Sequence, residues 1–188
     1  MQKDHRHAAL FFATELVAVA CNLLYTWFYL NANPACYAFG ITGPALLAVL
    51  CYSRKIYAEI LLQGVYVAMA VYGWLSLGQG WQEQSWAAST HLMLLAVGIL
   101  AVVGAGKWLS AKTDARLPYL DATTTVFGII GTWAMVNYVH ANWLYFIGIN
   151  ALSVVLYTRR KMYLGGLMYV LYFLMAVDGY FKLQWFSL

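Results

Sequence analysis

Charge is what this sequence has least of. Of its 188 residues, 10% are Asp, Glu, Lys or Arg, where a water-soluble domain carries roughly a quarter. Hydrophobic residues make up 63%. Too little polar side chain is present to cover a surface facing water, so most of the chain must face lipid. Cysteine is sparse too. Cys21, Cys36 and Cys51 lie in or beside apolar runs, with neither metal-ligand spacing nor a disulfide framework, and read as small buried residues. His5, His7, His91 and His140 form no H-E-x-x-H or other metal spacing. A Gly-rich phosphate loop and a nucleophile elbow are both missing, so no enzyme, metal or cofactor is expected. No loop is long enough for the soluble output domain of a sensor. Lys182 stands at the outer edge of the last apolar run, which argues against a buried retinal Schiff base.

What is present is a series of long apolar runs. A helix crosses a bilayer with about 20 mostly apolar residues. Seven stretches qualify, the sixth short but extendable at both ends: Leu10–Leu30, Ala35–Tyr52, Ile56–Leu77, His91–Leu109, Tyr119–Val139, Trp143–Tyr157 and Met162–Phe186. The run from Ala8 to Leu30 exceeds a signal-peptide core and lacks a clear cleavage site, so it is expected to be the first span. With the N-terminus in the cytoplasm, Lys3, Arg6, Arg54, Lys55, Lys107, Lys112, Arg116, Arg159, Arg160 and Lys161 all fall inside. Only Lys182 falls outside. This split fixes an external C-terminus and makes the basic excess a topology signal, not a nucleic-acid footprint.

The chain is also written twice. Arg160 stands 106 residues after Arg54, and at that offset Arg54, Lys55, Tyr57, Leu61, Tyr66, Met69, Ala70, Val71, Gly73 and Leu77 meet identical residues without a gap. Upstream, Thr26-Trp27 meets Thr132-Trp133, Asn31 meets Asn137, and Glu15 meets Asp121. The expectation is an all-α integral membrane fold of seven transmembrane helices in a 3+1+3 plan. Residues 10–77 form the first repeat, 91–109 a connecting helix and 119–186 the second repeat, all within one transmembrane domain. An odd connector leaves the two triplets parallel, as in transporters whose substrate site lies near the midplane between repeats.

Polar residues at lipid depth are the candidates for function. Asn22, Gln63, Asn150 and Ser153 lie deep in their spans, where the alternatives are helix–helix hydrogen bonding and the lining of a cavity. Tyr66 and Tyr172 are repeat mates near mid-membrane. Trp74 and Trp143 stand toward the outer mouth, whereas Trp81, Trp86, Trp133 and Trp185 suit an interfacial belt. Asp178 takes the place of Tyr72 of the first repeat; it either pairs with Lys182 one turn on or faces a cavity. Glu15 and Asp121 suit helix-dipole capping near cytoplasmic ends, and Glu59 suits a salt bridge to Arg54-Lys55. Aromatic faces with amides and a carboxylate suit a flat, heteroaromatic, cationic solute.

The stretches Leu62–Trp74 (L-Q-G-V-Y-V-A-M-A-V-Y-G-W), Asn142–Tyr157 (N-W-L-Y-F-I-G-I-N-A-L-S-V-V-L-Y) and Tyr163–Tyr180 resemble the Pnu family of bacterial vitamin transporters. The likeness runs from about Glu15 to Trp185. It implies a SWEET-like seven-helix plan in the bacterial inner membrane. It also implies facilitated diffusion of an unphosphorylated vitamin trapped by a cytoplasmic kinase, and a homo-oligomer. Carried over by motif, substrate contacts would include Gln63, Trp143 and Asn150. The riboside branch shows W-x-x-W-x-x-x-N on helix six. Here Phe146 replaces the second Trp, which points to the PnuT thiamine branch, with nicotinamide riboside next, then riboflavin or a deoxynucleoside.

Overall fold

The structure is a computed structural model; it describes residues 2–53, 57–79, 82–113, 117–159 and 163–186. Arg54, Lys55, Trp81, Arg116, Arg160 and Lys161 lie outside the described residues, as do the side chains of Lys3, Arg6 and Glu59. Seven α-helices are present among the described residues: α1 (Gln2–Leu30), α2 (Cys36–Ser53), α3 (Tyr57–Leu75), α4 (Ala88–Lys112), α5 (Pro118–Val136), α6 (Asn142–Arg159) and α7 (Tyr163–Phe181). At about 1.5 Å rise per residue, even the shortest is about as long as a bilayer core is thick. Phe12–Leu30 and Ala88–Lys112 are apolar enough over their length to span on their own composition; Cys36–Leu50, Leu62–Leu75 and Gly166–Phe181 are shorter apolar stretches. The exposed surface carries Leu, Val, Ile and Trp side chains along α4 and elsewhere, while Gln63, Asn142, Asn150, Ser153 and Asp178 are buried. Apolar outside and polar inside is the arrangement a lipid solvent selects.

The described residues divide into two compact units, one up to residue 79 and the other from 82 to 186. In the first, α2 packs against both α1 and α3. In the second, the packing partners run α4 on α5, α5 on α6 and α6 on α7.

The duplication seen in the sequence extends to the hydrogen bonds. After α1, the N–H of Asn33 donates to Phe28 O (2.9 Å) and that of Ala32 to Tyr29 O (3.0 Å). After α5, Val139 donates to Ala134 O (2.9 Å) and Tyr138 to Met135 O (3.0 Å). Each pair closes a Schellman turn, which satisfies the last carbonyls of the helix. The turning residue is left-handed and is not glycine in either copy, with φ of 49° at Ala32 and 57° at Tyr138. Both Asn31 and Asn137 bond their side-chain amides back to the preceding helix, at Trp27 O (2.9 Å) and Trp133 O (2.8 Å).

Close approach of the helices follows the same plan. Gly73 of α3 faces the Tyr37 ring of α2, and Gly179 of α7 faces the Trp143 indole of α6, so that a Cβ at either glycine would overlap the ring. Both the glycines and the rings are repeat mates. Elsewhere the repeats exchange partners. In the first, a Cβ on Gly40 of α2 would stand 2.8 Å from the Tyr25 ring of α1. In the second, the ring sits on α6 as Phe146 and the glycine on α5 as Gly131, where a Cβ would stand 3.5 Å from the Phe146 ring. Large and small have changed helices while the contact survives, as core volume requires.

Three expectations need correction. First, α1 begins at Gln2, so Glu15 sits several turns into its helix, too far from the N-terminal dipole to cap it; Asp121 does lie in the first turn of α5. Second, α3 stops at Leu75 and continues as a 3₁₀ turn over Ser76–Gln79. Third, the last span does not run to Phe186. α7 ends at Phe181, and Lys182 and Gln184 adopt φ of 54° and 62° as the tail folds back.

A left-handed alanine is strained by about 1 kcal/mol relative to glycine. Ala32→Gly should therefore stabilise the first repeat by about 0.5–1 kcal/mol, seen as a raised unfolding temperature in detergent. An unchanged or lowered temperature would show that the turn carries no such strain.

Candidate substrate site

In the second unit several candidate residues lie on α6. The turn before it is fixed from three sides. Asn142 donates from Nδ2 to Val139 O (2.7 Å). Gln84 bridges to the same turn, donating its N–H to Tyr138 O (2.8 Å) and accepting from His140 N (3.0 Å). His140 in turn stacks on Tyr180, with ring centroids 5.3 Å apart. Trp143, Asn150 and Ser153 then follow along the buried face of α6, at spacings of seven and three residues that keep them on one side of a helix. All three are buried. Tyr172 stands seven residues before Gly179 on α7, and Asn150 seven residues after Trp143 on α6. Since Trp143 seats on Gly179, Tyr172 and Asn150 share one level of the antiparallel pair. The Tyr172 ring also meets Tyr169 edge-on at 6.1 Å.

The Asn150 amide and the Ser153 hydroxyl make no hydrogen bond among the described residues, although Asn150 is only 6% exposed and Ser153 only 2%. Buried polar groups ordinarily find a partner inside the protein. A few polar groups beside an aromatic face are the usual composition of a ligand pocket.

In the first unit, Gln63 is buried and Tyr66 half-buried, one turn apart on α3. Asn22 of α1 donates to Ala18 O (3.0 Å), and its amide lies over Gly43 of α2, where a Cβ would stand 2.9 Å from Oδ1. It is therefore at least partly a packing residue. Trp74 is 53% exposed, so its own repeat does not enclose it.

Asp178 is placed differently from either expectation. Its carboxylate is 2% exposed and accepts from the backbone N–H groups of Trp185 (Oδ1, 3.1 Å) and Phe186 (Oδ2, 3.0 Å). Lys182 is not its partner. That ammonium donates to Glu83 Oε2 (2.9 Å), and Glu83 also pairs with His140 Nδ1. The cause is the left-handed turn at Lys182, which removes the lysine from the i,i+4 position that a continuing helix would give it. With both carboxylate oxygens committed to the tail, Asp178 serves as its clasp. Glu83 and the His91–Tyr145 contact (3.0 Å) that ties α4 to α6 went unnoticed in the sequence, since long-range pairs leave no periodic signal.

A family model described as nicotinamide mononucleotide transporter matches residues 13–187. The chain belongs to this family. Its relatives include the nicotinamide riboside transporter PnuC of Escherichia coli, 24% identical over 174 residues, with 76% of this chain and 73% of that protein covered. The Neisseria mucosa PnuC is 29% identical over 182 residues, with 87% and 69% covered. A crystal structure of the vitamin B3 transporter PnuC superposes with a TM-score of 0.73 at 23% identity, covering 93% of this chain and 84% of its own, and shows the same fold. As a member of the nicotinamide mononucleotide transporter family, the chain is an integral membrane transporter and not an enzyme.

Two outcomes follow from the clasp at the end of α7. Asp178→Ala strands two backbone donors and should destabilise the protein by about 2–3 kcal/mol, read as a lower unfolding temperature and faster amide exchange confined to residues 182–186. A silent variant would mean the tail is held by other contacts. The Glu83 carboxyl is pulled below its ordinary value of 4.5, chiefly by the hydrogen bond from Lys182, with the charges of His140 and Lys182 adding. A depressed carboxyl stabilises the fold above its unfolded value and loses that contribution as pH falls through its folded value. The unfolding-temperature gap between parent and Glu83→Gln should hence be constant at neutral pH and close below pH 4.5. A gap independent of pH would remove Glu83 from the clasp's electrostatics.

Proposed function

We propose that the chain takes up nicotinamide riboside, a cationic pyridinium riboside, across the bacterial inner membrane by facilitated diffusion. The observation that carries this reading is the family match over residues 13–187, with relatives that are nicotinamide riboside transporters. The thiamine expectation rested on Phe146 in place of a second Trp. Phe146 lies against Gly131 of α5, in the exchange that the first repeat makes with Tyr25 and Gly40. The relatives named above are nicotinamide riboside transporters, and thiamine gains no support from them.

The chemistry of the buried residues fits a riboside. Trp143 offers a π face to the pyridinium, an attraction that strengthens away from water. The amides of Asn150 and Gln63 present both donors and acceptors, which the carboxamide requires. Asp178 is occupied by the tail, so the ligand's charge is met by aromatic faces. A phosphorylated ligand is disfavoured because the buried polar residues among those described include no Lys or Arg, and a buried phosphate needs a paired cation. Movement is passive in this reading, and a cytoplasmic kinase makes uptake unidirectional by trapping the product. The N-terminus lies in the cytoplasm, the C-terminus outside, and copies of the chain assemble as a homo-oligomer. The chain comprises two repeats, 10–77 and 119–186, joined by residues 91–109.

Calorimetry on purified protein tests the substrate. Nicotinamide riboside should bind more tightly than thiamine, riboflavin or a deoxynucleoside. Asn150→Ala and Trp143→Ala should each weaken it by about 1–3 kcal/mol. Tighter thiamine binding would overturn the substrate, and unchanged affinity in both variants would move the site off α6.

A further inference from the structure

We propose that Ser153 is a specificity-determining residue that binds a sugar hydroxyl of the substrate, an inference that rests on the nicotinamide riboside reading above. Hydroxyls within apolar helices ordinarily turn back to the carbonyl three or four residues earlier, which satisfies them in lipid. This chain does so repeatedly. Thr26, Thr42, Ser76, Thr123, Thr124 and Thr132 all donate to such a carbonyl, at 2.7–3.4 Å. Ser153 does not, although it is 2% exposed and sits in the interior of α6, where that carbonyl is in reach. Among the described residues it makes no hydrogen bond at all. Among the described residues the fully enclosed side-chain atoms that make no hydrogen bond are Gln63 Oε1 and Asn142 Oδ1. The Ser153 oxygen is not one of them, so it stays open to an arriving partner. An unused hydroxyl in an apolar helix is unfavourable until one arrives.

The surroundings identify the arrival. Ser153 stands one turn beyond Asn150, itself buried and unbonded, and on the same buried face as Trp143. If the pyridinium stacks on the indole and its carboxamide meets an amide, the group that reaches the far end of the stripe is the ribose. A serine hydroxyl both donates and accepts, as a sugar hydroxyl does. Its position at the repeat offset in the first copy is Leu47, so the hydroxyl belongs to one repeat only. That asymmetry suits a ligand with different ends. The scaffolding glycines and turns, by contrast, are symmetric.

The test pairs variants of the full-length protein with altered ligands. Affinities for nicotinamide riboside and for its 2′-deoxy, 3′-deoxy and 5′-deoxy forms are measured by calorimetry in the parent, Ser153→Ala and Ser153→Cys. The cysteine keeps the volume while weakening the hydrogen bond. In the parent, one deoxy form should bind about fivefold to tenfold more weakly than the riboside. Both variants should weaken the riboside by that same factor and leave that one deoxy form unchanged. Two results overturn the inference: unchanged riboside affinity in the variants, or equal weakening of the riboside and all three deoxy forms, which marks a packing effect. A parent that fails to bind the riboside refutes the substrate reading, and this inference falls with it. Riboside binding in the parent with insensitive variants refutes Ser153 alone.

Discussion

An aromatic ring pressed against a glycine brings two helices together in each repeat. Lipid gives helices no hydrophobic reason to associate, so they must gain by close van der Waals approach. Gly73 under Tyr37 and Gly179 under Trp143 provide that approach at equivalent points of α2·α3 and α6·α7. The second contact also fixes a candidate residue. Trp143 is held by Gly179, and the neighbouring Asp178 anchors the tail beyond it.

Around that contact the two copies divide into what stayed the same and what diverged. The Schellman turns at Ala32 and Tyr138, the amide bonds of Asn31 and Asn137, and the ring-bearing glycines match almost atom for atom. The polar side chains do not. At the repeat offset Gln63 meets Tyr169, Asn150 meets Pro44, Asn22 meets Gly128 and Asp178 meets Tyr72. A duplicated scaffold that recognises an asymmetric ligand needs this division, because helix geometry can be shared while hydrogen-bonding groups must differ.

Much of the architecture was legible from composition and from one offset. Apolar runs of bilayer length located the seven helices, and the offset of 106 residues paired them into triplets. The ends of helices were harder to read. The last apolar run continues through Leu183 to Phe186, and periodicity gives no hint that a carboxylate eight residues back captures its N–H groups. Lys182 looked like the partner of Asp178 because a continuing helix would put it there. The Phe146 substitution misled for a related reason. In one dimension it is a missing Trp; in three dimensions its ring lies beside Gly131 of α5. The polar character of the candidate residues was readable. The unsatisfied state of Ser153 was not, since it depends on which bonds a hydroxyl declines to make.

The exchange between Tyr25·Gly40 and Gly131·Phe146 has a consequence for how such a chain can change over time. Moving a ring from one helix to its neighbour takes two substitutions, and neither intermediate is comfortable: two rings overfill the contact, two glycines empty it. Drift at these positions must proceed in coupled steps, or through a temporary small side chain on both helices. Residues facing each other across α1·α2 and α5·α6 are consequently bound to vary as pairs. A chimera that joins α1 of one homologue to α2 of another will fail or succeed on that pairing before any question of substrate arises.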